Sequence, residues 1–369
     1  MRQLTIFGST GSIGINTLDV VAKFPKDFCI HALVAHSSKE KLLEQVMQFK
    51  PKMAVLFDST AAEWLRQRAN CPVYSAEEGL FRAVENCDIL VQAMSSTIGI
   101  AATLEALKNG CQVAIANKET IIAAHNLIRP YLHLIRPIDS EHSSLFKLYE
   151  EDRPIRTTIT ASGGPFLKRD LTTFDQITLD QALTHPNWSM GVSNTINSST
   201  LFNKVLEVFE AYYLFDQLPT VIIEPTSRIH AIATYADGMT QMVAYPPDMR
   251  IPILHALSID KKFSNPYKSF LDFSAIEFVT VDERRFPLMQ LVQLGKNNSC
   301  APAFFMFLNE LLMQDFLQRK ITWLQLQHHL LDAALDCPNI PLDSIASIEE
   351  LKLITKRIHQ CNILQSSMV

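Results

Sequence analysis

The stretch Gln3-Leu4-Thr5-Ile6-Phe7-Gly8-Ser9-Thr10-Gly11-Ser12-Ile13-Gly14 decides how the first third of the chain is read. Gln3 to Phe7 alternates as a buried strand does. The glycines then fall as G-x-x-G-x-x-G before a helix that carries Leu18, Val21 and Ala22 on one face. Strand, glycine turn and helix together form a spaced variant of the dinucleotide-binding fingerprint. Bare backbone there approaches a pyrophosphate, and the helix N-terminus offers N–H groups and positive dipole. A plain structural glycine turn shares this spacing, so the flanking sequence has to decide.

A second strand, Cys29 to Ala35, leads into His36-Ser37-Ser38-Lys39, the distance downstream at which such a fold meets the cofactor ribose. No Asp or Glu stands there to hold a free 2′-hydroxyl. Lys39 and the small hydroxyls lean towards NADP, and an ordinary polar loop is the equal alternative. Strand and helix then alternate through Met53 to Phe57, Ala61 to Asn70, Asp88 to Ala93, Ile98 to Asn109 and Val113 to Ala116, which predicts a parallel, doubly wound sheet. Asn117-Lys118-Glu119-Thr120 follows the last of these strands, at the end where open α/β sheets hold ligands. Glu119 there also reads as a helix cap, whereas Asn117 and Lys118 have less structural reason for their place.

Composition sets the outer limits. With 369 residues, 47% hydrophobic and 19% charged, the chain is long enough for two or three cores. A formal net charge of -5, with no basic run, gives no general pull towards phosphate backbones or anionic membranes, so neither nucleic acid nor membrane is an expected partner. The seven cysteines, Cys29, Cys71, Cys87, Cys111, Cys300, Cys337 and Cys361, are scattered and lack C-x-x-C spacing, which favours reduced thiols over disulfides or zinc knuckles. Met1 runs directly into a strand pattern, and no apolar run reaches membrane-spanning length, so a reducing cytoplasm is the expectation.

Chemistry-bearing clusters fill the middle of the chain. Asp139-Ser140-Glu141 puts two carboxylates and a hydroxyl directly after the apolar segment Leu132 to Ile138, a pattern that suits a metal site or a solvated turn. The strand Thr157 to Ala161 ends in Ser162-Gly163-Gly164-Pro165, whose exposed N–H groups suit an oxyanion or phosphate. His185-Pro186-Asn187-Trp188-Ser189-Met190-Gly191 combines an imidazole, a large aromatic and hinge-capable residues in a loop, a reasonable lid. Asn197-Ser198-Ser199-Thr200 is then expected to cap a helix from Leu201 to Phe215, on which Asn203, Lys204 and Glu207 share a face. Asp272 to Pro287 reads as a linker. Helices are expected over Pro302 to Gln318, with Phe304, Leu308, Leu311 and Leu312 at helical spacing, then over Trp323 to Leu335 and Ile348 to His359, as a core-forming cap. The fold class is therefore α/β. A Rossmann-type doubly wound domain covers 1–138, an α+β catalytic domain with a lid loop covers 139–271, and a linker at 272–287 leads to a small α-helical domain at 288–369.

The segments Gly8 to Gly14, Ala116 to Thr120, Ile138 to His142, Thr160 to Phe166, His185 to Gly191 and Asn203 to Glu207 resemble, in order and spacing, the 1-deoxy-D-xylulose 5-phosphate reductoisomerase family. The resemblance covers essentially the whole chain. It implies an enzyme that makes 2-C-methyl-D-erythritol 4-phosphate with NADPH and a divalent metal, Mg or Mn, in non-mevalonate isoprenoid biosynthesis, acting as a homodimer on a phosphosugar. It further implies that Asp139, Glu141 and Glu207 hold the metal and, with His185 and Lys204, form the catalytic set. Ser140, Ser162, Trp188, Ser198 and Asn203 join Glu141, His185, Lys204 and Glu207 as substrate contacts. Thr10, Gly11, Ser12 and Ile13 match the pyrophosphate loop, while Asn117, Lys118, Glu119, Met190 and Gly191 match further cofactor contacts. The implied chemistry is a retro-aldol and aldol rearrangement followed by reduction, with the metal stabilising enolate-like charge.

Some positions depart from that pattern. The family's cation near the ribose phosphate is absent at His36-Ser37-Ser38, its basic residues after the lid become Val192 and Ser193, its Asp becomes Asn197, and its helix Gly becomes Val205. Its His-Pro-Gln-Ser becomes Glu224-Pro225-Thr226-Ser227, and a small-residue run becomes Met306-Phe307-Leu308-Asn309-Glu310. Two other readings follow from these changes: a paralogue reducing another phosphorylated hydroxyketone, and a non-catalytic cofactor-binding regulator.

Overall fold

The computed structural model describes residues 1–150, 152–187, 191–267, 271 and 275–366, with side chains up to residue 361. The chain divides into two units. One comprises Met1–Thr120, Ile128–Lys147 and Asp248–Ser269, and the other Ile121–Leu127, Leu148–Pro247 and Phe270–Val369.

In the first unit, seven strands form one parallel sheet: β1 (Arg2–Phe7), β2 (Phe28–Ala35), β3 (Met53–Leu56), β4 (Val73–Ser75), β5 (Ile89–Gln92), β6 (Gln112–Ile115) and β7 (Ile135–Pro137). Their order is β4-β3-β2-β1-β5-β6-β7, so β1 is central, with Ile6 opposite Leu33 of β2 and Val91 of β5. Near-continuous apolar strands suit a sheet covered by helices on both faces, and Leu4, Ile6, Leu33, Leu56 and Val91 are fully buried. The connection from β4 to β5 crosses the sheet and leaves a topological switch point beside the carboxyl end of β1, where open α/β sheets bind ligands. Sequence reading finds this architecture but does not assign β4 or the helices Lys39–Phe49, Ala76–Val84, Ser140–Tyr149 and Arg250–Leu257.

A late segment belongs to this unit as well. The helix Arg250–Leu257 buries Ile253, Leu254, Ala256 and Leu257 in the same core as Leu4, Leu18 and Val21. Arg250 binds Asp248 and Asp19, the latter on the helix Ser12–Ala22. Cutting the chain after residue 138 therefore leaves out part of the nucleotide-type unit, because an apolar helix face more than a hundred residues later completes its core.

The second unit is built on a four-stranded sheet of β8 (Arg156–Ala161), β9 (Thr220–Ile223), β10 (Ile229–Thr234) and β11 (Thr240–Ala244), in the order β11-β10-β8-β9. Part of the expected linker belongs to its core. Val279 pairs antiparallel with Ile223, and Phe286 is fully buried among Ala161, Leu201 and Ile223. Residues 272–274 lie outside the described residues. The expected cap at Asn197-Ser198-Ser199-Thr200 is also revised. Residues 197–199 end a separate helix, Val192–Ser199, and Leu201 with φ of 61° turns the chain into the next one, Phe202–Phe215. The helix Ala301–Leu317 is buried on nearly every side, with Phe304, Phe305, Phe307 and Leu308 almost fully enclosed, so it is a central helix rather than a striped surface one. Trp323–Ala334 and Ile345–Ser366 complete the helical part. Among the described residues no helix is long and apolar enough to cross a membrane.

Gly8 fixes the turn after β1. Its φ is +80°, and a Cβ there would lie 2.5 Å from the Ala93 carbonyl oxygen, on the strand side of the switch point. Gly8→Ala therefore combines left-handed backbone strain with a backbone clash. A loss of at least about 2 kcal/mol in denaturant unfolding is expected; wild-type stability would contradict this account of the turn.

Candidate active site

In the nucleotide-type unit, the loop after β1 enters the helix Ser12–Ala22 at Gly11, an N-cap residue with no side chain to cap the helix start. Gly11 and Ser12 are exposed, so the first-turn N–H groups face outward, the arrangement that helix N-termini use for phosphate. Gly14 lets the helix press onto its own turn, since a Cβ there would come within 2.3 Å of the Gly8 carbonyl oxygen. Thr10 and Ile13 flank this approach and are half-buried. Gln45 supports the loop from the helix Lys39–Phe49, its Nε2 donating to the Ser9 carbonyl at 2.8 Å. Sequence reading missed it because a lone Gln on an amphipathic helix looks like surface. At the end of β2, His36 stacks on Phe57 at 5.7 Å, while Lys39 and Arg68 both lie over the Trp64 ring.

Asn117 and Glu119 turn out to organise backbone. Asn117 Oδ1 accepts from the Thr120 N–H at 2.7 Å, so Asn117, not Glu119, caps the helix Lys118–Ala123. Its amide nitrogen donates to the Met94 carbonyl at 2.6 Å and to Glu119 Oε2 at 2.7 Å, and Glu119 Oε1 accepts from the Ser96 N–H at 2.8 Å. Together they pin the loop after β5. Lys118 leaves this cluster and pairs with the Asp139 carboxylate.

The Ile138-to-Glu141 segment turns at Asp139 and continues as the helix Ser140–Tyr149. Asp139 Oδ1 accepts from the Ser140 N–H at 2.9 Å, and its carbonyl accepts from the Ser143 N–H, so Asp139 occupies the N-cap position. The helix dipole favours Asp139 and Glu141 as anions there. Ser140 hydrogen-bonds Glu141, which places two carboxylates, a hydroxyl and the Lys118 ammonium in one small cluster on this unit.

In the other unit, Asn203, Lys204 and Glu207 share one face of Phe202–Phe215 as the spacing predicts, and both Asn203 and Lys204 donate to the Glu207 carboxylate. Lys204 and Glu207 are buried, so their charges compensate each other in a poorly solvated place. Asn203 Oδ1 is buried without a hydrogen-bond partner among the described residues, an acceptor suited to a hydroxyl. At the end of β8, Ser162 Oγ accepts from the Gly164 N–H at 3.2 Å and lies 3.2 Å from His185 Nε2. The Asn187 N–H donates to His185 Nδ1, so the proton of the neutral ring is on Nε2 and points at Ser162. Burial holds the His185 pKa below its ordinary 6.5, which keeps the ring neutral. Gly164 then brings two segments together: with φ of +64°, a Cβ there would sit 2.5 Å from the Ser198 carbonyl oxygen. Ser198 itself is half-buried. Gly191 is the exposed N-cap of Val192–Ser199, while Trp188 and Met190 lie outside the described residues.

Sequence reading also missed Asn187 and the part played by Glu224. Asn187 Nδ2 donates to the Pro225 carbonyl at 2.7 Å and to Ser227 Oγ at 2.9 Å, which ties the His185 loop to the turn after β9. Glu224 is fully buried. Burial by itself pushes its carboxyl pKa up. Hydrogen bonds from the Thr226 hydroxyl and from the N–H groups of Arg228, Thr226 and Ile229 outweigh that effect, leaving it below the usual carboxylate value. The acid that replaces the family's His is thus the internal anchor of its turn.

Comparison with known proteins gives one answer along the chain. Family models described as 1-deoxy-D-xylulose 5-phosphate reductoisomerase, that enzyme's C-terminal domain, and DXP reductoisomerase C-terminal domain match residues 4–125, 135–215 and 245–359. A 1-deoxy-D-xylulose 5-phosphate reductoisomerase of Desulfitobacterium hafniense (strain Y51) is 38% identical over 359 residues, covering 90% of this chain and 94% of that protein. One from Moorella thermoacetica is 40% identical, covering 87% and 88%. A crystal structure of DOX-P reductoisomerase in complex with NADPH, fosmidomycin and magnesium superposes with a TM-score of 0.89 at 27% identity, covering 98% of this chain and 97% of that one. With the three family models in order along the chain and relatives of this identity across most of its length, the chain belongs to the 1-deoxy-D-xylulose 5-phosphate reductoisomerase family.

Proposed function

We propose that this protein converts 1-deoxy-D-xylulose 5-phosphate to 2-C-methyl-D-erythritol 4-phosphate with NADPH and a divalent metal, Mg or Mn, in isoprenoid biosynthesis, as a cytoplasmic homodimer. Support comes from the family match across the chain and from a related structure bound to NADPH, fosmidomycin and magnesium. In the division of labour, residues 1–138, their core completed by the helix Arg250–Leu257, bind the nucleotide, the segment after 138 carries metal and substrate, and the C-terminal helices support it.

The residues fit both groups. Close backbone packing at Gly8 and Gly14 fixes the turn, exposed Gly11 and Ser12 at the helix start present N–H donors for a pyrophosphate, and Thr10 and Ile13 border them. Asn117 and Glu119 hold the loop beside the switch point, and Lys118, Met190 and Gly191 are assigned to the same cofactor. The metal ligands are Asp139, Glu141 and Glu207, an all-oxygen anionic set of the kind hard divalent cations take. When bound, such an ion stabilises negative charge developing on the substrate's oxygens.

The observation that carries the reading is the contact of Gly164 with the Ser198 backbone, which sets the Ser162 loop beside the segment leading to Asn203, Lys204 and Glu207. Two hydroxyls, a carboxamide and an ammonium on neighbouring segments suit a dianionic phosphate: Lys204 supplies charge, and Ser162 and Ser198 supply short donors. Asn203 Oδ1 accepts from a substrate hydroxyl. Ser140 approaches the substrate's oxygens, and neutral His185 orients Ser162 through Nε2–H. His185 and Trp188 shield the substrate from water.

NADPH oxidation dependent on 1-deoxy-D-xylulose 5-phosphate is expected, abolished by chelation and restored by Mg or Mn. Glu207→Gln is expected to lower kcat/KM by about two orders of magnitude or more. No turnover with NADPH or NADH under either metal would overturn the reading, and preference for another phosphorylated hydroxyketone by kcat/KM would redirect it. Running NADPH and NADH in parallel tests whether Lys39 and Arg68 serve the 2′-phosphate.

The burial of His185 sets a pH dependence. Its folded pKa lies below the unfolded 6.5, so the unfolded chain takes up the proton first as pH falls. Stability is full above 6.5, declines as pH drops from 6.5 to the folded pKa, and is level below it. His185→Asn is expected to flatten that part of the Tm-against-pH curve; an unchanged curve would place the neutral ring elsewhere.

A further inference from the structure

We propose that Trp323, which lies outside every segment assigned above to substrate, cofactor or metal, is a positioning residue that sets the spacing between the Ser162 loop and the Ser198 turn. The inference rests on the reading that these two serines take the substrate's phosphate.

Trp323 opens the helix Trp323–Ala334, whose start is fixed by a capping box between Thr322 and Gln325. Its indole is 1% exposed. Nε1 donates to Ser199 Oγ at 2.9 Å, and that hydroxyl donates onward to the Ile196 carbonyl at 2.7 Å. The last turn of Val192–Ser199 is therefore held from outside. On the other side of Ser198, Asn197 Oδ1 accepts from Asn309 Nδ2 at 2.9 Å. Both neighbours of Ser198 are buried and anchored to the C-terminal helices, and Ser198 alone of the three is half-buried.

The same indole also meets the other phosphate segment. Phe166, which follows Ser162-Gly163-Gly164-Pro165, packs edge-on against Trp323 at 5.2 Å and 80°, and Phe174 does so at 5.3 Å and 87°. Arg285 holds the Phe166 carbonyl at 2.8 Å. Gly164 lies between the two segments with no room for a side chain. A rigid, enclosed ring thus touches one segment by its N–H and the other through aromatic packing, so its placement governs the gap in which a phosphate would sit.

The test compares Trp323→Phe, which deletes the N–H, and Ser199→Ala, which deletes the acceptor, with Ser198→Ala as control, all in the full-length enzyme. Each of the first two is expected to raise the KM for 1-deoxy-D-xylulose 5-phosphate, and the inhibition constant for inorganic phosphate, by about three- to tenfold. The kcat and the KM for NADPH should stay at wild-type values, and the double variant should be no worse than the weaker single one, since both delete one contact. Unchanged substrate KM and phosphate inhibition in Ser199→Ala, while Ser198→Ala weakens both, would overturn the inference and leave the phosphate reading intact. A rise in NADPH KM matching that for substrate would also overturn it, as general loosening. Should Ser198→Ala leave phosphate inhibition unchanged, the phosphate reading itself fails and the inference goes with it. If Trp323→Phe does not fold, Ser199→Ala, the smaller change, decides alone.

Discussion

A carboxylate removed from water must be met by donors or cations, and that constraint shapes every acidic group in the proposed site. Glu207, 2% exposed, lies against Lys204 and Asn203 one turn away on its own helix. Asp139 pairs with Lys118, and Glu224 is enclosed by N–H groups and a hydroxyl of its own turn. Isolated burial of any of these charges would cost several kcal/mol. Compensation is therefore local, within each unit.

The same requirement explains how the departures from the family pattern are accommodated. An acid in place of the family's His at Glu224 would be a liability in an apolar pocket. Here four hydrogen bonds converge on it, and the turn they shape receives Asn187 from the His185 loop. The change from Asp to Asn197 is likewise absorbed by an amide pair with Asn309. Around the proposed phosphate grip, the close approach at Gly164 leaves the backbone path little freedom.

Segments distant in sequence complete both cores. Arg250–Leu257 supplies an apolar face to the parallel-sheet unit, and Val279 with Phe286 closes the small sheet of the other. Neither looks like core in sequence. The first follows two prolines, and the second is a run rich in charged residues whose apolar members are too sparse for a helical or alternating period.

What the sequence determines alone is the part governed by short-range rules. Strand–glycine–helix order specifies the parallel nucleotide-type sheet, and i, i+3 and i+4 spacing puts Asn203, Lys204 and Glu207 on one helix face. The motif set from Gly8 to Glu207 is specific enough to identify the family. Tertiary structure alone decides what depends on partners far along the chain. It assigns Asn117 to capping, turns Asp139 into a helix N-cap, makes the expected cap at residues 197–199 the end of a separate helix, and encloses Ala301–Leu317 on nearly all sides. It also joins Trp323 to Ser199. Periodicity reports which face of an element is apolar, and it carries no information on which distant element covers that face or which buried donor finds which acceptor.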